Sequence, residues 1–305
     1  MTKNMKTVMS LALALVLCLS MLAGCSNKPD EKPADGSEPE TETELEAPKV
    51  LLVVSFGTSY NESRDLTIGA VEGALGTAYP DYEVRRAFTS QIIIDILAQR
   101  EKLEIDNVTQ AMDRLVADGV KEVVIQPTHV MSGFEYDDVI AEITPYEAQF
   151  DSFKVGAPLL TSDADYDKVL TALVNETEDY NTEGTAIVFM GHGTEHEANA
   201  TYAKLQQFFA DAGYSNYFIG TVEAEPTLEE VIDMVEDSGA AKVVLLPLMV
   251  VAGDHANNDM AGDEEDSWKS AFTAAGYEVE CVLRGLGQYS GIQAVYVDHV
   301  ADAIA

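Results

Sequence analysis

Four stretches constrain this chain more than any others: VLLVVS at 50–55, VVIQP at 123–127, TAIVFM at 185–190 and VVLLP at 243–247. Each is a continuous apolar run, not an alternation of apolar and polar residues. A strand that is apolar on both faces must be covered on both faces, which is the condition of a parallel sheet flanked by crossover helices. Helix-type segments separate the runs, so strand and helix alternate. The predicted fold class is α/β, with two similar parallel-sheet βαβ domains facing a central cleft.

The runs repeat internally. Aligning Pro127 with Pro247 brings Gly133 onto Gly253 and Glu135 onto His255. Aligning Gly57-Thr58 with Gly193-Thr194 superposes the strands that precede them. The duplication predicts domains over 49–160 and 161–305, with the last helix free to pack back on the first domain. Among the helices, 61–78 is expected as one piece with Asn61 as its cap. Asp106 or Asn107 caps the next but one. A helix at 135–149 bends near Pro145, and another spans 263–275.

The chain before residue 49 should not join this fold. Lys3 and Lys6 precede an apolar run over 8–22, and Leu22-Ala23-Gly24-Cys25 follows. That is the layout of a lipoprotein signal peptide over 1–25, with a lipobox whose Cys25 carries the lipid. Residues 26–48 are rich in Glu, Asp, Pro, Ser and Thr, too polar to offset the entropy of ordering, and read as a disordered acidic linker. The expected location is extracytoplasmic, anchored to the cell membrane by lipid. The net charge of −35 argues against a nucleic-acid partner. Of the three cysteines, only Cys281 remains in the folded part, so no disulfide framework or cysteine zinc site is available.

The chemistry gathers at strand ends. Of the five histidines, His129, His192, His196 and His255 each follow an apolar run, where open α/β sheets place their ligands, while His299 reads as a surface or satisfied core residue. Glycines flank His192 and leave room for a flat or bulky group beside the ring. His255 is followed by Asn257, Asn258 and Asp259, and a nearby carboxylate can orient an imidazole. Two imidazoles with a carboxylate from Glu135 suit a borderline divalent ion such as Co, Ni, Fe or Zn; alternatively, Glu135 is an acid complementing a helix dipole. No GxxxxGK[ST] or GxGxxG after a strand is present, and the absence of GxSxG disfavours a nucleophile-elbow hydrolase.

The motifs LLVVSFGTSY at 51–60, RAFTS at 86–90, GHGTEHEAN at 191–199 and PLMVVAGDHANNDMAGDEEDSWK at 247–269 resemble the anaerobic sirohydrochlorin cobalt chelatases of CbiK type. These are class II chelatases related in fold to ferrochelatase, and the resemblance covers essentially all of residues 49–305. It implies a chelatase-like fold with a tetrapyrrole in the cleft between two domains. The implied activity is insertion of Co(II), with Fe(II) or Ni(II) as alternatives, and release of two protons, in tetrapyrrole or cobalamin biosynthesis, with the metal as substrate and no nucleotide or redox cofactor needed.

The resemblance also implies that His192, Glu135 and His255 hold the metal, with His192 and Glu135 catalytic. Ser55, Thr58, Ser59 and His129 are expected at the substrate, and Arg85 and Arg86 at its carboxylates, with Lys269 and Arg284 as further candidates. The lipobox departs from a cytoplasmic biosynthetic role. A rival function is therefore a non-enzymatic extracytoplasmic lipoprotein that binds tetrapyrrole or metal for uptake, alongside a transport-system partner. A homo-oligomer is left open.

Overall fold

A computed structural model describes residues 48–305 of the protein; the expected signal peptide, Cys25 and the acidic segment up to residue 47 lie outside the described residues. The first sheet contains β1 (Lys49–Ser55), β2 (Glu83–Phe88), β3 (Glu122–Pro127) and β4 (Ser152–Val155), in the order β2-β1-β3-β4. The second contains β5 (Thr185–Gly191), β6 (Tyr217–Thr221), β7 (Lys242–Pro247) and β8 (Glu278–Cys281), in the order β6-β5-β7-β8. All neighbours run parallel. The predicted α/β class with two similar parallel sheets is the observed one.

The internal match also has a structural counterpart. Val54 pairs with Pro127 in the first sheet and Met190 with Pro247 in the second, so the aligned prolines occupy the same register.

The helices are α1 (Asn61–Leu66), α2 (Ile68–Ala78), α3 (Gln91–Glu101), α4 (Val108–Ala117), α5 (Phe134–Ile143), α6 (Asp163–Glu176), α7 (Ala200–Asp211), α8 (Leu228–Ser238), α9 (Trp268–Ala274) and α10 (Ser290–Ile304). Three differ from expectation. The segment 61–78 breaks at Thr67, whose hydroxyl turns back onto the Ser63 carbonyl. Tyr60, not Asn61, takes the N-cap position there.

The helix expected to bend at Pro145 ends at Ile143, and Thr144–Gln149 continues as a 3-10 helix. Proline has no N–H to continue an α ladder. The third helix begins at Trp268 and not at residue 263, because Ser267 caps it by accepting from the Ser270 N–H. Of the two cap candidates for α4, Asn107 does the work, in a reciprocal capping box with Gln110.

Side-chain alternation along the central strands explains how the sheets join. Val50, Leu52 and Val54 point to an outer core under α4 and α5. Ala186, Val188 and Met190 point to a second outer core under α8 and α9. The opposite faces, Leu51 and Val53 from β1 and Ile187 and Phe189 from β5, belong to one continuous buried cluster. Helix α10 contributes Ile292, Val295, Tyr296 and Val300 to that cluster. It touches α2 and β3 as well as α6, so the C-terminal helix packs on the first sheet.

Polar contacts fix the junction. The Tyr296 hydroxyl donates to the Thr128 carbonyl (2.8 Å) and the Tyr79 hydroxyl to the Val297 carbonyl (2.6 Å). His299 is buried between the Ala157 carbonyl (3.0 Å) and Asp165 (3.1 Å), as a satisfied core histidine. Residues 48–305 thus belong to a single compact unit.

Candidate functional site

The carboxyl ends of β1, β3, β5 and β7 open into one cleft of about 610 Å³. This is where open parallel sheets bind ligands, because the loops there are free of the strand ladder. The first sheet supplies Ser55–Tyr60 and Thr128–Tyr136 to the lining; the second supplies His192–Glu195 and Leu248–His255.

Two glycines shape the β5 loop. A Cβ on Gly191 would lie 2.3 Å from the ring of Tyr202, and Gly193 has φ +85° with the Ala224 backbone 2.8 Å from where its Cβ would be. The loop therefore lies flat on α7 and presents His192 outward. The Nδ1 of His192 donates to the Gly193 carbonyl (2.8 Å), which leaves the Nε2 lone pair for a ligand. His255 is held in the same sense: its Nδ1 meets Asp259 Oδ2 at 2.7 Å. A π-helical turn over Ala256–Met260 brings that carboxylate back onto the ring. The two imidazoles meet edge to face, with centroids 4.7 Å apart.

The third corner of this cluster is Glu223. One ligand atom each from His192, Glu223 and His255 lie within 4.8 Å of one another, and His192 Nε2 is 3.8 Å from Glu223 Oε1. The residue sits just past β6, and its N–H donates to the His192 carbonyl (2.9 Å), so adjacent strands place it. Sequence reading missed it. The available signal was an acid directly after an apolar run, but the register between β5 and β6 is not written in either strand. Glu135, the carboxylate expected in the metal set, is not part of this cluster. It lies in the first turn of α5 on the wall contributed by the other sheet, 3.8 Å from His129 Nε2.

That wall has its own electrostatics. Burial pushes the Glu135 carboxyl up, against the opposing pull of His192 and with a small further push from Asp138. The side chain retains about 55% exposure, but in a concave surface its neighbours still displace much of its water. His129 is enclosed, and burial lowers its imidazole to about 4. Neither of its ring nitrogens has a hydrogen-bond partner. Both nitrogens are covered by neighbouring atoms, so an unpaired buried polar group stands in the cleft wall.

The remaining expected residues divide clearly. Ser55, Thr58 and Ser59 line the cleft. Ser55 Oγ accepts from Thr128 (2.8 Å), and Thr58 Oγ1 accepts from the Tyr60 N–H (3.2 Å). Arg85 and Arg86 do not reach it. They sit on β2, where Arg85 is held by Glu83 and Asp118 and Arg86 forks onto Glu72 at 2.7 and 2.6 Å. Lys269 pairs with Asp263 and Arg284 with Glu176. His196 accepts from the Ala198 N–H and stands against Phe134, so it serves the rim and not the cluster. Glu135, Glu195, Glu223 and Asp254 line the cleft, but no Lys or Arg does among the described residues. Such a surface favours a divalent cation.

Two parallel sheets with a carboxylate–imidazole cluster at their strand ends define a class: a two-sheet α/β protein whose ligand-sized cleft carries side chains able to hold a metal ion. The chain belongs to the cobalt chelatase (CbiK) family, whose pattern matches residues 49–305. It is 41% identical over 256 residues to a sirohydrochlorin cobaltochelatase of Salmonella typhimurium, covering 84% of this chain and 96% of that one. It is 32% identical over 259 residues to the sirohydrochlorin cobaltochelatase CbiKC of Nitratidesulfovibrio vulgaris, covering 84% and 91%. In fold it is similar to SirB from Bacillus subtilis with Fe3+, at a TM-score of 0.60 and 13% identity, covering 85% of this chain and 96% of that one.

Proposed function

We propose that this chain is a sirohydrochlorin cobaltochelatase that inserts Co(II) into the macrocycle with release of two protons. The observation that carries the reading is the convergence of His192, Glu223 and His255 on one wall of a cleft whose other wall holds Glu135 and His129. The divalent ion is a substrate, so it must be held and then surrendered. Two neutral imidazole nitrogens and one carboxylate suit a borderline ion such as Co(II) and leave positions open for incoming nitrogens. The hydrogen bonds at both Nδ1 atoms keep the Nε2 atoms aimed at the ion without reorganisation.

Insertion also removes two pyrrole protons. A histidine bound to metal cannot accept one until the ion leaves. Glu135, raised by burial and set on the other wall, is placed to take a proton. His192 can take the second once the ion has passed to the macrocycle. Ser55, Thr58, Ser59 and His129 then contact the macrocycle from the first sheet. In this reading the chain works outside the cytoplasm, tethered through a lipid on Cys25, which radiolabelled fatty-acid incorporation into wild type but not Cys25→Ala would test.

The enzymatic test mixes the full chain with sirohydrochlorin and Co(II), Fe(II) or Ni(II) and follows the absorption spectrum. Acceleration over the spontaneous rate is expected, greatest with Co(II). Glu223→Gln should weaken Co(II) affinity by about 100-fold. Glu135→Gln should leave that affinity within a few-fold and lower kcat by about 100-fold. A spontaneous-like rate with all three metals would overturn the enzymatic reading. Equal loss of metal affinity in both variants would overturn the division of roles.

A further inference from the structure

The cleft and its proposed substrate carry charge of the same sign. A tetrapyrrole with several carboxylate arms must enter a site lined by four acidic side chains and no Lys or Arg among the described residues. The arginines expected to meet those arms, Arg85 and Arg86, are paired elsewhere.

A different basic pair lies behind the Ser59 loop of the cleft. Arg100, at the end of α3, donates through Nη2 to the carbonyl of Ser59, a lining residue. It also donates to Asn61 Oδ1 (3.2 Å), and Arg64 Nη1 reaches the same oxygen at 3.1 Å. Glu101 lies between the two guanidinium groups, with Arg100 Nε at 3.0 Å and Arg64 Nη2 at 3.3 Å from its oxygens. Asp65 approaches Arg64 only to 4.0 Å. The hydrogen bond from Arg100 and the two nearby positive charges hold the Glu101 carboxyl below its usual range.

The two arginines differ in what they can do. Arg64 is 6% exposed, with Nη1 on Asn61 and Nη2 on Glu101, so it contributes field and anchors the loop. Arg100 keeps 49% of its side chain in solvent, and its Nη1 has no hydrogen-bond acceptor among the described residues. A planar guanidinium with an open edge is suited to a carboxylate. Asp254, from the loop after β7, brings a negative charge to the neighbouring lip, where its Oδ1 meets the Tyr60 hydroxyl at 3.4 Å.

We propose that Arg100, steadied by Asn61 and Arg64, is the rim subsite that binds a peripheral carboxylate of the macrocycle. It sets which edge of the tetrapyrrole faces the Ser59 side of the cleft. Arg100 is a positioning residue and not a member of the metal cluster. The proposal rests on the tetrapyrrole reading above, but its test does not need turnover.

The experiment titrates the full chain, wild type, Arg100→Gln and Arg100→Lys, with metal-free sirohydrochlorin and with its methyl ester, by absorption at two salt concentrations. Arg100→Gln should weaken binding of the free acid about tenfold and flatten its salt dependence, with Arg100→Lys intermediate. The ester should bind all three chains alike. In the insertion assay, KM should rise with kcat unchanged. Binding of the acid within twofold of wild type in Arg100→Gln overturns the proposal. So does a matching loss for the ester, which would indicate a disturbed loop. Wild type that binds the acid in an Arg100-dependent manner yet inserts no metal would overturn the chelatase reading and leave this one standing.

Discussion

His129 shows what burial alone does to a residue. Its position after an apolar run was readable, but its enclosure was not, because the surfaces that cover it come from loops distant in sequence. Its imidazole stays neutral down to about 4, against roughly 6.5 for an unfolded chain. Between these values the unfolded state binds more protons than the folded one, so stability rises with pH and is lost as pH falls. That single group should remove roughly 3 kcal/mol of stability between about pH 6.5 and pH 4. Urea unfolding at several pH values checks this: the slope in that window should be shallower in His129→Met than in wild type. Identical slopes would show that His129 protonates freely in the fold. Glu223 and Glu135 teach a related lesson. Both are acids after apolar runs, and only strand pairing separates the one beside His192 from the one across the cleft.

The element that repays inspection is the β5 loop with its glycine-flanked histidine. That His192 needed room was legible from Gly191 and Gly193. What fills the room is Tyr202, which lies on α7 and is aimed there by the helix's own packing. The Tyr202 hydroxyl accepts from the Gly193 N–H at 3.2 Å, tying the loop to the helix. Gly191→Ala should therefore be destabilising by about 1–3 kcal/mol through overpacking, and should weaken Co(II) binding by displacing His192. A thermal melt with a metal titration tests both, and a variant with wild-type melting and affinity would show that Tyr202 moves aside freely. Of the helices 61–78 and 135–149, proline chemistry explains the second break and was anticipated as a bend. The break at Thr67 has no such mark in its residue type: its hydroxyl bonds the i−4 carbonyl, as Thr171 does inside the unbroken α6.

At the scale of the molecule, the two sheets share a core. The inner faces of β1 and β5 and the apolar side of α10 bury one another, so neither sheet can be uncovered without exposing the other. A single cooperative unfolding transition follows. Fluorescence of Trp268, the chain's one tryptophan and buried behind the second sheet, should report the same midpoint as far-UV circular dichroism. Two separated midpoints would show that the sheets unfold independently despite the common cluster. The same arrangement places strand ends of both sheets around one cleft, and contacts such as the Ala252 N–H to Ser63 Oγ (3.1 Å) join the loops across it. Among the described residues no helix is long and apolar enough to cross a membrane.

The sequence by itself determined the parallel α/β class, the duplication and the cluster of histidines at strand ends. These depend on local properties: apolar continuity, proline and glycine positions, and residue type. Tertiary structure alone decided that Glu223 joins the His192–His255 cluster, that Arg85 and Arg86 are paired outside the cleft, and that Arg100 meets the Ser59 carbonyl. Each of those depends on which strand lies beside which and where side chains from separate loops end. Strand order and register arise from the packing of the whole chain, and no local pattern contains them.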